Sequence, residues 1–169
     1  MKRLLILISV LILCTSLVTD KPTPIDNKCK TDDFMNAVAF KESRMRIDVV
    51  NTYGMLGKYQ FSRTTLNGIG FKHVTSDEFL KNESIQDSAM IALMKENQRG
   101  LKRQIKKYVG KTIDNIYITE SGILAAAHLA GAGSVRKWFR TKGKKTRVDG
   151  YGTSIEMYMS KFANYKINI

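Results

Sequence analysis

Residues 40-FKESRMRIDVVNTYGMLGKYQFSRTTL-66 decide how the rest of the chain is read. Up to Ser43 the apolar residues recur at helical spacing. Beyond it the pattern breaks into a stretch punctuated by Asn51, Gly54 and Gly57. Glycine reaches backbone conformations closed to other residues, and asparagine favours turns. Residues 45–61 therefore read as an irregular loop or short hairpin that folds back over the helix end. One glutamate, Glu42, sits where helix gives way to loop, and the loop closes on 57-GKYQF-61. A carboxyl group on a rigid helix end, faced by Tyr59, Gln60 and backbone amides, is a layout for acting on a neutral polar polymer such as a glycan.

Working back from this stretch, 32-DDFMNAVAFKESR-44 reads as the first helix of the domain, with Thr31 or Asp32 as its cap. Phe34, Ala37, Val38 and Lys41 share one side, and Met35 and Phe40 widen the apolar face. Glu42 follows Val38 by one turn, at the edge of that stripe. Such a carboxyl is expected to be partly desolvated, a setting suited to donating a proton near neutrality. Taken by itself, this segment favours reading Glu42 as a solvated surface residue.

Working forward, Ser62 caps a short helix over about 63–69, closed by Gly70. Thr75 and Glu78 make a capping pair for another. The longest periodic stretch is 83–110, with Ile85, Ala89, Ala92, Leu93, Glu96 or Asn97, Leu101, Ile105 and Tyr108 in register, Gly100 as a candidate kink and Gly110 as its stop. Thr119 caps a helix to about Ala130, whose run 124-LAAA-127 permits very close packing, and Gly131 ends it. Ser134 starts the next, carrying Trp138 and Phe139. The cationic loop 140-RTKGKKTRVDG-150 precedes a last helix capped by Thr153, with Ile155, Tyr158, Met159 and Phe162 as core candidates. There is no internal repeat, P-loop or dinucleotide fingerprint. The expectation is a mainly α chain with one irregular loop.

Composition narrows the class. At 169 residues, with 43% hydrophobic and 25% charged side chains, the chain suits one globular domain rather than a disordered segment. Lys and Arg number 28 against 15 Asp and Glu, a formal charge of +13, which draws anionic partners. Met1-Lys2-Arg3 followed by the eleven-residue apolar run 4-LLILISVLILC-14 has the proportions of a signal peptide and is too short to span a bilayer. Residues 1–19 are accordingly expected to be an export signal, and 20–31, which hold both prolines, a linker. The domain is expected over 32–169. Export to the periplasm or cell envelope counts against nucleic acid as the partner. Cys14 stands where a lipidation cysteine would, but Leu13 before it is larger than such a site wants, so membrane attachment is expected only if Cys14 is lipidated. Two cysteines are too few for a metal site.

Taken together, Glu42-Ser43, Gly54, 57-GKYQF-61, 125-AAAHLAGAGSV-135 and 157-MYMSKF-162 resemble, in that order, the lysozyme-like lytic transglycosylases, the group that includes goose-type lysozyme. The resemblance covers about residues 32–163. It implies a lysozyme-like helical domain that acts as a monomer on peptidoglycan glycan strands without cofactor or metal. Glu42 would be the single catalytic acid/base, Gln60 would line the sugar groove, and Tyr158 would point at the glutamate. Ser43, Tyr59 and His128 are the further residues expected at the substrate. His128 stands where the family usually has Tyr, and Leu129 where it often has an Asn that contacts the sugar. Glycoside hydrolysis ordinarily uses two carboxylates. No second acid is placed convincingly by sequence, with Asp48 the nearest and Asp77 and Asp87 distant candidates. The reading is therefore a transglycosylase that cleaves the MurNAc–GlcNAc bond and leaves 1,6-anhydro-muropeptides. A lysozyme-type hydrolase, a non-catalytic wall-binding protein of the same fold, and a basic helical module for nucleic acid or anionic lipid are the alternatives.

Overall fold

The computed structural model describes residues 27–169, with side chains from Thr31. The export signal at 1–19, Cys14 and the proline-bearing part of the linker lie outside the described residues. Helix α1 spans Asn27–Ser43 and so begins inside the stretch read as linker. Thr31 is not its cap. Its hydroxyl lies within the helix, donates to Asn168 O (3.2 Å) and accepts from Asn168 N (3.1 Å), which pins the end of the chain to α1. The buried face of α1 is Phe34, Met35, Val38 and Ala39, while Phe40, expected to widen it, is 54% exposed with the Arg44 guanidinium 4.6 Å above its ring. Residues 34, 35, 38 and 39 continue at helical spacing to 42. The same stripe that anchors the helix thus carries Glu42 inward.

The other helices are α2 (Arg63–Gly68), α3 (Ser76–Lys81), α4 (Glu83–Tyr108), α5 (Glu120–Thr141) and α6 (Ile155–Lys161). The caps at Ser62, Thr75 and Thr119 are formed as expected, each side-chain oxygen accepting from the amide three residues on. The last helix is capped by Ser154 rather than Thr153. Gly100 does not interrupt α4, which runs unbroken for 26 residues, or about 39 Å. Gly131 does interrupt α5, at φ 79° and ψ 151°, but the helix resumes at once instead of restarting at Ser134. A two-stranded antiparallel hairpin, β1 (Thr112–Ile113) and β2 (Ile116–Tyr117), fills the connection after α4. Asp114 and Asn115 both take positive φ at its tip, as a two-residue hairpin turn requires. The expected all-helical pattern missed it. Among the described residues no helix is long and apolar enough to cross a membrane.

One apolar core joins these elements, built on Phe34, Phe61, Phe79, Trp138, Tyr158 and Phe162. Fully burying each such side chain contributes about 1.5–3 kcal/mol. Helices α5 and α6 pack closest at Gly122, where an added Cβ would meet Met159 O at 2.6 Å and Met159 Cα at 3.2 Å. The small run 124-LAAA-127 is buried throughout. Across the seam, Trp138 Nε1 and Thr146 Oγ1 both donate to the Glu156 carboxylate, tying α6 and the loop before it to α5. Desolvation works against the Glu156 charge, but these bonds and those from its own backbone and Ser154 outweigh it and hold the group below the usual glutamate range.

The two helical glycines separate packing from propensity. Gly122→Ala should lower unfolding stability by about 1–3 kcal/mol, because a backbone carbonyl occupies the space required. Gly100→Ala, exposed and with nothing nearer than Arg136 Nη1 at 3.8 Å, should raise it by about 0.5–1 kcal/mol. Denaturant melts of the two variants beside the parent check both signs.

Candidate active-site cleft

The loop after α1 is held by one side chain of α4. Gln86, completely buried, accepts from Lys58 N at 2.6 Å through Oε1 and donates through Nε2 to Ile47 O (2.9 Å) and Phe79 O (2.8 Å). Its amide lies so close to Gly57 that a Cβ there would fall 2.3 Å from Oε1. Gly57 also has φ 69°. It is therefore glycine for two independent reasons, a left-handed backbone and no room for a side chain. Bridges Val50–Leu56 and Leu56–Phe61 complete the irregular hairpin. Gln60, at φ 54°, turns its amide back so that Nε2 donates to Gly57 O at 2.8 Å. The G-x-x-Q spacing is thus a closed local unit that presents Gln60 at a fixed place.

Beneath this loop lies a cleft of about 540 Å³. Glu42, Gln60, Phe61, Asn97 and His128 line it, together with residues 147–151 and the turn around Tyr53. The Glu42 side chain is 18% exposed, so its carboxylate is neither solvated surface nor sealed core. The Tyr158 hydroxyl, brought in by α6, donates to Glu42 Oε1. Burial, the Glu42 charge and that bond all push the phenol well above its ordinary range, so Tyr158 stays protonated and remains a donor. His128 Nε2 lies 4.0 Å from the same Oε1, its ring edge-on to Phe61 at 5.8 Å. Its Nδ1 is buried without a hydrogen-bond partner. Desolvation drives the imidazole below its usual range against the opposing pull of Glu42 and the Tyr59 backbone, so His128 is neutral near pH 7.

Of the residues expected at the substrate, Glu42, Gln60, His128 and Tyr158 therefore converge, and Tyr59 and Ser43 do not. Tyr59 is fully buried and faces away from the cleft, its hydroxyl 2.7 Å from Asp87 Oδ1. Ser43 donates to Lys58 O at 2.8 Å and joins the end of α1 to the loop. Lys58 runs in the same direction as Tyr59, its ammonium between Glu83 (2.8 Å) and Asp87 (2.9 Å). Leu129 does line the cleft, half-buried. The candidate second carboxylates are elsewhere. Asp48 pairs with Arg46, Asp77 with Lys81, and Asp87 with Lys58 and Tyr59. Asn97 and Asp149 are among the lining residues that the sequence did not mark as functional. Asn97 is a buried amide on the core face of α4, where the register with Leu93 and Leu101 was the available signal. Asp149 stands in the cationic loop, its Oδ1 accepting from Tyr151 N (2.9 Å) and Thr153 N (2.7 Å).

A second concavity, about 490 Å³, lies between α4 and α5 and is lined by Arg103, Lys107, Arg136, Arg140 and Lys142. It carries no carboxylate and shares no residue with the Glu42 cleft. Among the described residues no cluster of His, Cys, Asp and Glu has the makings of a metal site. No family model, curated protein or solved structure matches the chain.

Two measurements follow from this frame. Gly57→Ala should cost at least about 2 kcal/mol, since a left-handed Ala alone costs about 1–2 kcal/mol and the Gln86 amide must also move. His128 is held neutral, so the unfolded chain binds the extra proton first. Stability should therefore be fully present above about pH 6.5 and decline as pH falls below it. Denaturant melts from pH 7.5 to 5 should show this slope for the parent and a flatter one for His128→Leu.

Proposed function

We propose that this protein is an exported, lysozyme-like lytic transglycosylase that cleaves peptidoglycan glycan strands between MurNAc and GlcNAc, with Glu42 as sole acid and base. The observation that carries the reading is the Glu42 carboxylate itself, largely withdrawn from water in a cleft of mixed polar and apolar lining, with the Tyr158 hydroxyl on one of its oxygens. Tyr158 occupies Oε1, so Oε2 is the oxygen left to exchange a proton with substrate. Protonated Glu42 gives its proton to the bridging oxygen as the C1–O bond of the muramic residue breaks. The carboxylate then takes the proton of the same residue's 6-hydroxyl, whose oxygen bonds to C1 and closes the 1,6-anhydro ring. A carboxylate that returns to its starting state needs neither a second acid nor a cofactor. The donor on Oε1 steadies the charged form between the two transfers. Gln60 and Asn97 supply amides for the sugar. The basic surface favours an acidic envelope as the working environment.

One observation favours a second reading. Asp149 is a carboxylate within the cleft lining, and a hydrolase would want such a group to activate water. Its Oδ1 is already committed to two backbone amides of its turn, which favours the single-carboxylate scheme.

Glu42→Gln should reduce release of soluble muropeptides from purified sacculi by about 10²–10⁴-fold while sacculus binding persists. Tyr158→Phe should slow it by about tenfold to a hundredfold, the effect of one hydrogen bond to a charged group. Asp149→Asn keeps the turn's acceptor oxygen and removes the charge. It should retain most activity if Glu42 works alone, and near-complete loss would favour the hydrolase. Wild-type activity in Glu42→Gln would refute both.

A further inference from the structure

The cleft lining contains the same short motif twice. Residues 51-NTYG-54 and 149-DGYG-152 lie about a hundred positions apart. In each, the Asn or Asp side-chain oxygen accepts from the amide of the tyrosine two residues on, and again from the amide four residues on. Asn51 Oδ1 takes Tyr53 N (2.9 Å) and Met55 N (3.0 Å), and Asp149 Oδ1 takes Tyr151 N (2.9 Å) and Thr153 N (2.7 Å). Gly54 and Gly152 follow the tyrosines with φ 73° and 82°, the left-handed step that lets each turn double back. Each is a rigid tight turn built to project one tyrosine. The two projections meet. The rings lie edge to face with centroids 5.2 Å apart, Tyr53 Oη donates to Gly150 O at 3.2 Å, and Thr52 Oγ1 and Tyr151 Oη are 3.2 Å apart. Gly150 makes room for this, since a Cβ there would fall 2.5 Å from Tyr53 Oη and 2.6 Å from its ring. Both rings remain more than half exposed and both line the Glu42 cleft, so folding stability does not account for them.

We propose that Tyr53 and Tyr151 form a clasp across the rim of the Glu42 cleft and determine where along a polymer the protein cuts. Two loops that both line the cleft and are latched to each other narrow its opening there, which disfavours laying in the middle of a long strand. An unbranched chain enters by its end and is shortened from that end. The clasp rests on the glycan-cleaving reading and deepens it by naming the part of the substrate accepted, the strand terminus.

The test uses long glycan strands labelled at one end and sized over the time course of digestion. The wild type should shorten strands gradually, releasing small fragments from the first time points while the remaining strands stay long. In Tyr53→Ala/Tyr151→Ala, long internal fragments should appear early, raising the ratio of internal to terminal cuts by about tenfold. Gly150→Ala displaces the Tyr53 ring without deleting it and should shift the ratio in the same direction. An unchanged melting temperature for the double variant establishes that the fold is intact. Internal cutting by the wild type from the outset, or a wild-type fragment pattern in both opened variants, overturns the clasp and leaves the glycan-cleaving reading standing. Absence of fragments from every protein, wild type included, overturns that reading and the clasp with it.

Discussion

The side-chain amide of Gln86 fills the space that a side chain on Gly57 would occupy, and it spends its hydrogen bonds on the backbones of Ile47, Lys58 and Phe79. An unpartnered buried amide costs about 1–3 kcal/mol. The loop therefore cannot drift from α4 without leaving that amide, and the backbone groups it serves, unsatisfied. Everything on the loop inherits this registration. Tyr59 and Lys58 are turned inward to Asp87 and Glu83, Gln60 lines the same cleft as Glu42, and Ser43 ties the arrangement to the end of α1. The irregular segment thereby becomes as fixed as the helices beside it, which is what a cleft that positions a reacting bond requires.

Three elements converge on the glutamate. The buried stripe of α1 carries it inward, α6 supplies the Tyr158 hydroxyl, and α5 supplies a neutral His128. Each arrives by ordinary packing. Gly122 lets α6 approach α5 closely, and Glu156 ties the two together through Trp138 and Thr146. Tyr158 and His128 both approach the same oxygen of Glu42, an asymmetry that suits the proposed sequence in which one group gives a proton and then takes one. His128, 4.0 Å from that carboxylate, is kept uncharged by desolvation.

Much of this was legible in the chain, and the misses have physical causes. Caps at Ser62, Thr75 and Thr119 were readable because they are local, one side-chain oxygen serving the amide three residues on. The core face of α6 followed from spacing alone, and so did the inward position of Glu42. Tyr59 was misassigned because alternation in 57-GKYQF-61 does not say which face is inside. That depends on Asp87 and Gln86, some 28 residues away. A hydroxyl next to a candidate carboxyl looks functional in sequence, whereas the partner of Ser43 is a carbonyl of the returning loop. The start of α1 was hidden by the prolines upstream, which argued for a linker through to residue 31. The β1–β2 hairpin was overlooked because two residues per strand leave no alternation to read. Asp149 and the Tyr151 turn were hidden because a loop rich in lysine and arginine reads as solvated surface, whereas Asn51 and Gly54 were legible as turn formers without their partner a hundred positions on.

The central claim is that one carboxylate, without a water-activating partner, performs the whole cleavage. Digesting purified sacculi with the protein in heavy-oxygen water, followed by mass spectrometry of the released muropeptides, tests it directly. The account predicts muropeptides ending in a 1,6-anhydro ring with no heavy oxygen incorporated, because the attacking oxygen comes from the sugar itself. Reducing-end muropeptides carrying one heavy oxygen would contradict it, since water would then be the nucleophile.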